Sequence, residues 1–148
     1  MNKIQIEPIG FVERISADEN DKDRSLESKI IINKNLTNAL DGITDFSHIY
    51  VIFWMDQVEN TTYLHHPSKN KDLGSVGIFA TRAPIRPNPI GLTLVELIKH
   101  DGNILWVRGL DAYHKTPVLD IKPYPDWEHG LCITVNDYRV PKWLKKFP

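Results

Sequence analysis

Leu92-Thr93-Leu94-Val95-Glu96-Leu97-Ile98-Lys99-His100-Asp101-Gly102-Asn103-Ile104-Leu105-Trp106-Val107 sets the fold class. Two runs rich in β-favouring residues, Leu92 to Ile98 and Asn103 to Val107, flank Asp101-Gly102. Glycine adopts the positive φ of a tight hairpin turn without strain, so the spacing predicts two antiparallel strands.

The neighbouring segments read in the same way. Ile4 to Val12 alternates and carries β-branched residues, which predicts a first strand. Lys29-Ile30-Ile31-Ile32-Asn33 predicts a buried strand. Phe46 to Met55 is large and apolar at nearly every position, which predicts a central strand buried on both faces. Val76 to Ala80, Pro117 to Ile121 and Leu131 to Val135 predict further short strands. Leu36 to Leu40 reads as one or two helical turns, stopped by Gly42. Residues 16–28 and 57–75 are polar and read as loops. Helical periodicity is otherwise scarce, so the chain reads as an all-β barrel or sandwich.

A length of 148 residues suits one domain, residues 1–148. The chain is 41% apolar and 25% charged, a balance expected of a globular protein with a true core. No apolar run approaches the roughly 18 residues of a membrane span, so no membrane partner is expected. The first residues lack a signal-peptide core. The single cysteine, Cys132, excludes an internal disulfide and fits a reducing cytoplasm. Lying between Leu131 and Ile133, it reads as a buried, inert thiol.

A net charge of −1 argues against a protein that relies on non-specific nucleic-acid binding. The charge is uneven, however. Arg139, Lys142, Lys145 and Lys146 crowd the tail, while Glu13, Asp18, Glu19, Asp21, Asp23 and Glu27 make the first loop acidic.

Chemistry concentrates in Phe79-Ala80-Thr81-Arg82-Ala83-Pro84-Ile85-Arg86-Pro87-Asn88-Pro89-Ile90-Gly91. Each proline locks its own φ and restricts the residue before it, so Arg82, Arg86 and Asn88 ride on a stiff mount. Preorganised polar groups suit a binding site; a rigid structural corner is the competing reading. A second constellation runs from Gly109 to Tyr124, where Asp120, Lys122 and Tyr124 alternate onto one strand face. Asp120 there suits either chemistry or an ion pair. His65-His66 are adjacent and diverge on an extended loop, and cysteine ligands are missing, so no metal is expected. His48 reads as a hydrogen-bonded core or near-core histidine. No Walker A, G-x-S-x-G or G-x-G-x-x-G motif occurs. The tail's Tyr138, Trp143 and Phe147 suit either base stacking or packing on the domain or a second subunit.

Five blocks occur in order: Pro8-Ile9-Gly10; Phe46-Ser47-His48; Phe79-Ala80-Thr81-Arg82; Arg86-Pro87-Asn88-Pro89-Ile90-Gly91; and Thr116-Pro117-Val118-Leu119-Asp120-Ile121-Lys122-Pro123-Tyr124. Together they resemble the TrmO (YaeB, TsaA-like) family from about residue 6 to 125. The resemblance implies a small, mainly antiparallel β-barrel with one short helix and long loops. It implies a homodimer that binds S-adenosylmethionine near the subunit interface, without a metal. The implied reaction is methylation of N6 of threonylcarbamoyl-adenosine at position 37 of tRNA. The implied cofactor contacts are Arg82, the backbone near Leu92, the turn His114-Lys115-Thr116-Pro117, and Asp56 with Gln57.

On that footing Asp120 is the expected proton acceptor or orienter of the amine, and Tyr124 the residue that stacks on or bonds the base. Arg86 and Lys122 are the expected contacts to phosphate or the threonyl carboxylate. Asn88, like Arg86, suits acceptor or dimer contact equally. The chain departs from the family at three places. No Pro-Arg-Gln-type segment occurs in residues 16–28, His114-Lys115 stands where relatives often have Asp-Gly, and Asp56 stands where a histidine is common. The alternatives are a methyltransferase acting on a small molecule and a cofactor-binding module without turnover.

Overall fold

A computed structural model describes residues 3–15, 23–67, 74–124, 138–141 and 143–144. The main element is a closed barrel of six antiparallel strands. In chain order these are β1 (Gly10–Arg14), β2 (Glu27–Ile32), β3 (His48–Trp54), β6 (Ile90–Asp101), β7 (Ile104–Arg108) and β8 (Pro117–Tyr124). Two short strands, β4 (Leu64–His65) and β5 (Val76–Gly77), pair beside it. Around the barrel the order is β1, β2, β7, β6, β3, β8, and the ring closes through β8 against β1. The expected all-β barrel is therefore observed.

The hairpin β6–β7 is the long arm of the barrel. Asp101 pairs with Ile104, so the two-residue loop is Gly102-Asn103, one residue later than the sequence reading placed it. Gly102 has φ 59°, whereas Lys115 is the sole non-glycine residue with positive φ among the described residues. A positive φ confined to the first loop residue is the type II′ arrangement, which matches strand twist.

Alternation builds the core. Val12, Ile30, Ile32, Ile49, Val51, Phe53, Val95, Leu105, Val107 and Val118 point inward and are buried. Burying large aliphatic side chains is the main stabilising term, at roughly 1.5–3 kcal/mol each before entropy is counted. β3 corrects the expectation of burial on both faces. Ile49, Val51 and Phe53 are buried, but His48, Tyr50, Ile52 and Trp54 are only half-buried on the outer surface.

Other elements differ from the sequence reading in their bounds and, at Leu64–His65 and Ile78–Ala80, in type. The first strand begins at Gly10, and Ile4 and Ile6 lie exposed ahead of it. Gly10 explains the start: a Cβ there would come within 2.2 Å of the Ile31 carbonyl oxygen, so only glycine permits this approach of β1 to β2. The strand expected over Val76 to Ala80 ends at Gly77, and Ile78–Ala80 forms a 3-10 turn. The expected helix is a 3-10 helix, Lys34–Leu40, followed by a shorter one, Ile43–Asp45. Leu131 to Val135 and Cys132 lie outside the described residues.

Antiparallel closure gives the barrel two mouths with different loops. One carries the connections β1–β2, β3–β6 and β7–β8. The other carries the β6–β7 turn and the 3-10 helices between β2 and β3.

Candidate functional site

The first mouth holds a cleft of about 460 Å³ that three separate loops line. Asp56 and Gln57 enter from the end of β3, Arg82 from the proline-rich loop, and Thr116 from the turn before β8. A second lobe of about 690 Å³ adjoins it and is lined by Arg86 and Leu92 among others. Phe53, Met55, Arg82 and Asp111 line both lobes, so the two form one continuous surface.

Two residues predicted from separate blocks meet directly. The Arg82 guanidinium donates to the Leu92 carbonyl oxygen at 2.7 Å. The loop that carries Arg82 is braced from within. The Thr81 hydroxyl donates to the Ile78 carbonyl at 2.8 Å and accepts from the Ala83 amide at 3.2 Å. The prolines hold φ and these bonds hold the turn, so the guanidinium projects from a fixed base.

Beneath the mouth lies a buried cation. Arg14 ends β1 inside the barrel, where its guanidinium donates to Ser28 Oγ at 2.9 Å and to the carbonyls of Leu110 and Asp23 at 3.1 Å each. A buried charge must be hydrogen-bonded, and these bonds meet that need at the terminal nitrogens. They also tie the β1–β2 and β7–β8 loops to the barrel wall.

The β7–β8 loop supplies residues that the sequence reading passed over. It runs extended, with Leu110 and Ala112 buried in the mouth and Asp111 and Tyr113 lining the cleft. That alternation was present in Gly109-Leu110-Asp111-Ala112-Tyr113. It directly precedes the polar turn His114-Lys115-Thr116-Pro117. Asp111 forms a salt bridge with Arg24. Arg24 sits beside Asp23, whose carboxyl accepts from the Ser25 amide at 2.8 Å. Hydrogen bonding to Ser25 holds that carboxyl below the ordinary aspartate value. Among the described residues of the β1–β2 loop, Arg24 lines the cleft.

The remaining predicted residues fall elsewhere. His114 and Lys115 dock on β1: His114 Nδ1 accepts from the Arg14 amide at 3.3 Å, and the Lys115 amide donates to the Val12 carbonyl at 2.7 Å. Lys115 adopts φ 66°, a left-handed conformation that glycine takes freely. Pro117 and Asn88 line a different groove on the outer wall, together with Ile4, Ile6 and Trp54.

Asp120, Lys122 and Tyr124 do share one face, as expected. They pair with Ile52, Tyr50 and His48 on the outside of the barrel. Asp120 and Lys122 form an ion pair at 2.9 Å, and Tyr124 meets Tyr50 edge to face with centroids 5.7 Å apart. None of the three lines the mouth cleft. Tyr124, opposite His48 at the start of β3, stands at the far end of the wall from Asp56.

A model of the tRNA-methyltransferase O N-terminal domain matches residues 18–127. The chain belongs to the tRNA-methyltransferase O (TrmO) family. TrmO is a methyltransferase family, and its matched region contains Arg82, Asp111, Thr116 and Asp120. The chain is similar to a "probable S-adenosyl-L-methionine-binding protein" of Methanothermobacter thermautotrophicus. The two are 43% identical over 82% of this chain and 90% of that one. It is also similar to the human tRNA (adenine(37)-N6)-methyltransferase, at 34% identity over 80% of this chain but 29% of that one. A crystal structure of TrmO from P. aeruginosa superposes with a TM-score of 0.73 at 26% identity, covering 97% of this chain and 62% of that one. The chain thus spans nearly all of some relatives and less than two thirds of others.

Proposed function

We propose that this protein transfers a methyl group from S-adenosylmethionine to N6 of an adenosine in tRNA, with threonylcarbamoyl-adenosine at position 37 as the acceptor. The observation that carries the reading is the convergence of Asp56, Gln57, Arg82 and Thr116, from three distant parts of the sequence, on one mouth of the barrel. Volumes of this size fall in the usual range for a small-molecule site.

The donor set fits the methyl donor chemically. Arg82 offers a fork for a carboxylate. Asp56, Glu59 and Asp111 line the first lobe and offer acceptors to an ammonium and to ribose hydroxyls. Phe53, Met55 and Ile85 give an apolar bed for a purine. S-adenosylmethionine supplies a methyl on a sulfonium, a reaction driven largely by alignment. In this reading the rigid Arg82 mount orients the donor, and the buried floor of Leu110 and Ala112 excludes water.

Asp120, Lys122 and Tyr124 face outward, so they serve this reaction from a second copy of the chain. The outer wall supports a homodimer. Rows Trp54–Ile90, Ile52–Leu92 and Tyr50–Leu94 form an apolar face, and Ile90, Leu92 and Leu94 are exposed on it. The same three residues line the second lobe of the cleft, so a partner docked there would bring its outer-wall residues to the donor. Beside this face, across the β6–β7 ladder, Arg108 is neutralised by Glu27 and Glu96 at 2.9 Å each. In this reading the chain acts in the cytoplasm as one domain.

A small-molecule acceptor is the second reading; the near-zero net charge and the three carboxylates of the cleft favour it. Incubation of the protein with labelled S-adenosylmethionine and tRNA that carries threonylcarbamoyl-adenosine, followed by nucleoside analysis, separates the two. Label in N6-methylated threonylcarbamoyl-adenosine is the expected result. Donor binding without label in any tRNA nucleoside favours the small molecule.

A further inference from the structure

The loop that carries Arg82 has a second face. There, His65, Pro67, Phe79, Ile85, Trp143 and Leu144 line a largely apolar groove of about 790 Å³. Arg82, Pro84 and Ile85 line both this groove and the mouth cleft, so one loop forms the wall between them. Phe79 is 79% exposed and neighbouring Tyr63 is 76% exposed.

These rings are exposed from a fixed base. Ile78, next to Phe79, is fully buried, and its amide donates to the Tyr63 carbonyl at 2.9 Å. The 3-10 turn Ile78–Ala80 closes through the Thr81 amide onto the Ile78 carbonyl at 3.1 Å. An aromatic ring that contributes nothing to its own core, yet sits on a braced turn, is suited to stacking on a planar ligand. The position is set by the mouth cleft, one loop away. Arg82 puts one cation on the rim.

We infer that this groove takes an unstacked base of the RNA acceptor, the nucleotide next to the one that enters the mouth cleft, with Phe79 as its stacking surface. The inference rests on the tRNA reading above. Single-stranded RNA loops present such splayed bases, and aromatic side chains with nearby cations are how proteins hold them. The groove makes Phe79 a substrate-positioning residue and Trp143 its second ring.

The test uses an anticodon stem-loop RNA with 2-aminopurine beside the acceptor adenosine, titrated with the full-length protein in the presence of S-adenosylhomocysteine. The intact protein is expected to change the probe's fluorescence on binding. Phe79→Ala is expected to abolish that change and raise the Kd about ten-fold, while Phe79→Tyr restores both. Affinity for S-adenosylmethionine, read by calorimetry, is expected to stay the same in all three. Because Phe79 is exposed, the alanine variant retains its fold; Trp143→Ala gives a second, independent loss. Unchanged RNA affinity and fluorescence in Phe79→Ala would overturn the groove assignment alone. Failure of the unsubstituted protein to bind the RNA would overturn the tRNA reading and this inference with it. Dissociation of Phe79→Ala into smaller species, with RNA affinity per protomer intact, would make the groove a subunit contact and also overturn it.

Discussion

Gly91 lies directly against the ring of Phe53, so that a Cβ at Gly91 would stand 2.2 Å from Phe53 Cε2. The two pair across β6 and β3, and Phe53 lines both lobes of the mouth cleft. The glycine in Asn88-Pro89-Ile90-Gly91 therefore makes room for a ring that belongs to the site.

Gly91→Ala forces that ring to move. Overpacking of this kind costs about 1–3 kcal/mol. A lower Tm is expected together with weaker S-adenosylmethionine binding, read by thermal denaturation and calorimetry. An unchanged Tm would show that the ring moves freely, and would remove Phe53 as a fixed wall of the cleft.

Lys115 presents the opposite case. Its φ of 66° is costly for a residue with a side chain, by roughly 1–2 kcal/mol relative to right-handed backbone. Glycine removes that strain but widens the unfolded ensemble. Lys115→Gly is expected to raise the Tm modestly, by an amount equivalent to about 0.5–1 kcal/mol. Since Lys115 does not line the mouth cleft, donor affinity should hold. A drop in affinity on this substitution would return Lys115 to the site.

Much of the fold was legible because alternation reports which face is inside. On β8 it puts Asp120, Lys122 and Tyr124 on one face, while the β6–β7 hairpin follows from the Asp101-Gly102 turn signal and β2 from its run of isoleucines. β3 misled because Ile52 and Trp54 are apolar yet lie on the outer wall, beside exposed Leu92 and Ile90. An apolar outer face looks like a core in sequence. The first strand was placed too early for the same reason, since Ile4 and Ile6 alternate like a strand but remain exposed. At the site, Arg82 stood out because prolines frame it. Asp111 did not, because its role depends on which loops share a mouth, and strand order around a barrel is not written in local pattern. Asp120 and Tyr124 were correctly placed on one face, but which side of the barrel that face occupies required the register with β3.

The exposed wall makes a prediction about assembly. Leu94→Glu puts a charge in the middle of the apolar face, beside Tyr50. Burying an unpaired carboxylate in an interface is strongly unfavourable. Sedimentation of the unsubstituted protein as a dimer and of Leu94→Glu as a monomer is expected. Equal sedimentation of the two would exclude this wall as the interface.

Asp120→Asn addresses the chemistry. Its carboxylate is paired with Lys122 on the surface, and such pairs contribute only about 0–1 kcal/mol to stability. The variant should therefore fold normally and bind the donor normally. Turnover with tRNA is expected to fall about 100-fold if Asp120 accepts the proton or orients the amine. Full turnover would remove Asp120 from the reaction.

The central claim is that the mouth cleft holds the methyl donor with Arg82 as its fixed cation. Calorimetric titration of S-adenosylmethionine into the intact protein and into Arg82→Ala tests it most directly. The account predicts saturable binding to the intact protein and affinity reduced about 10- to 100-fold in Arg82→Ala, the range for losing a charge-assisted bond. Equal affinity in both proteins, or no binding to the intact one, would contradict it.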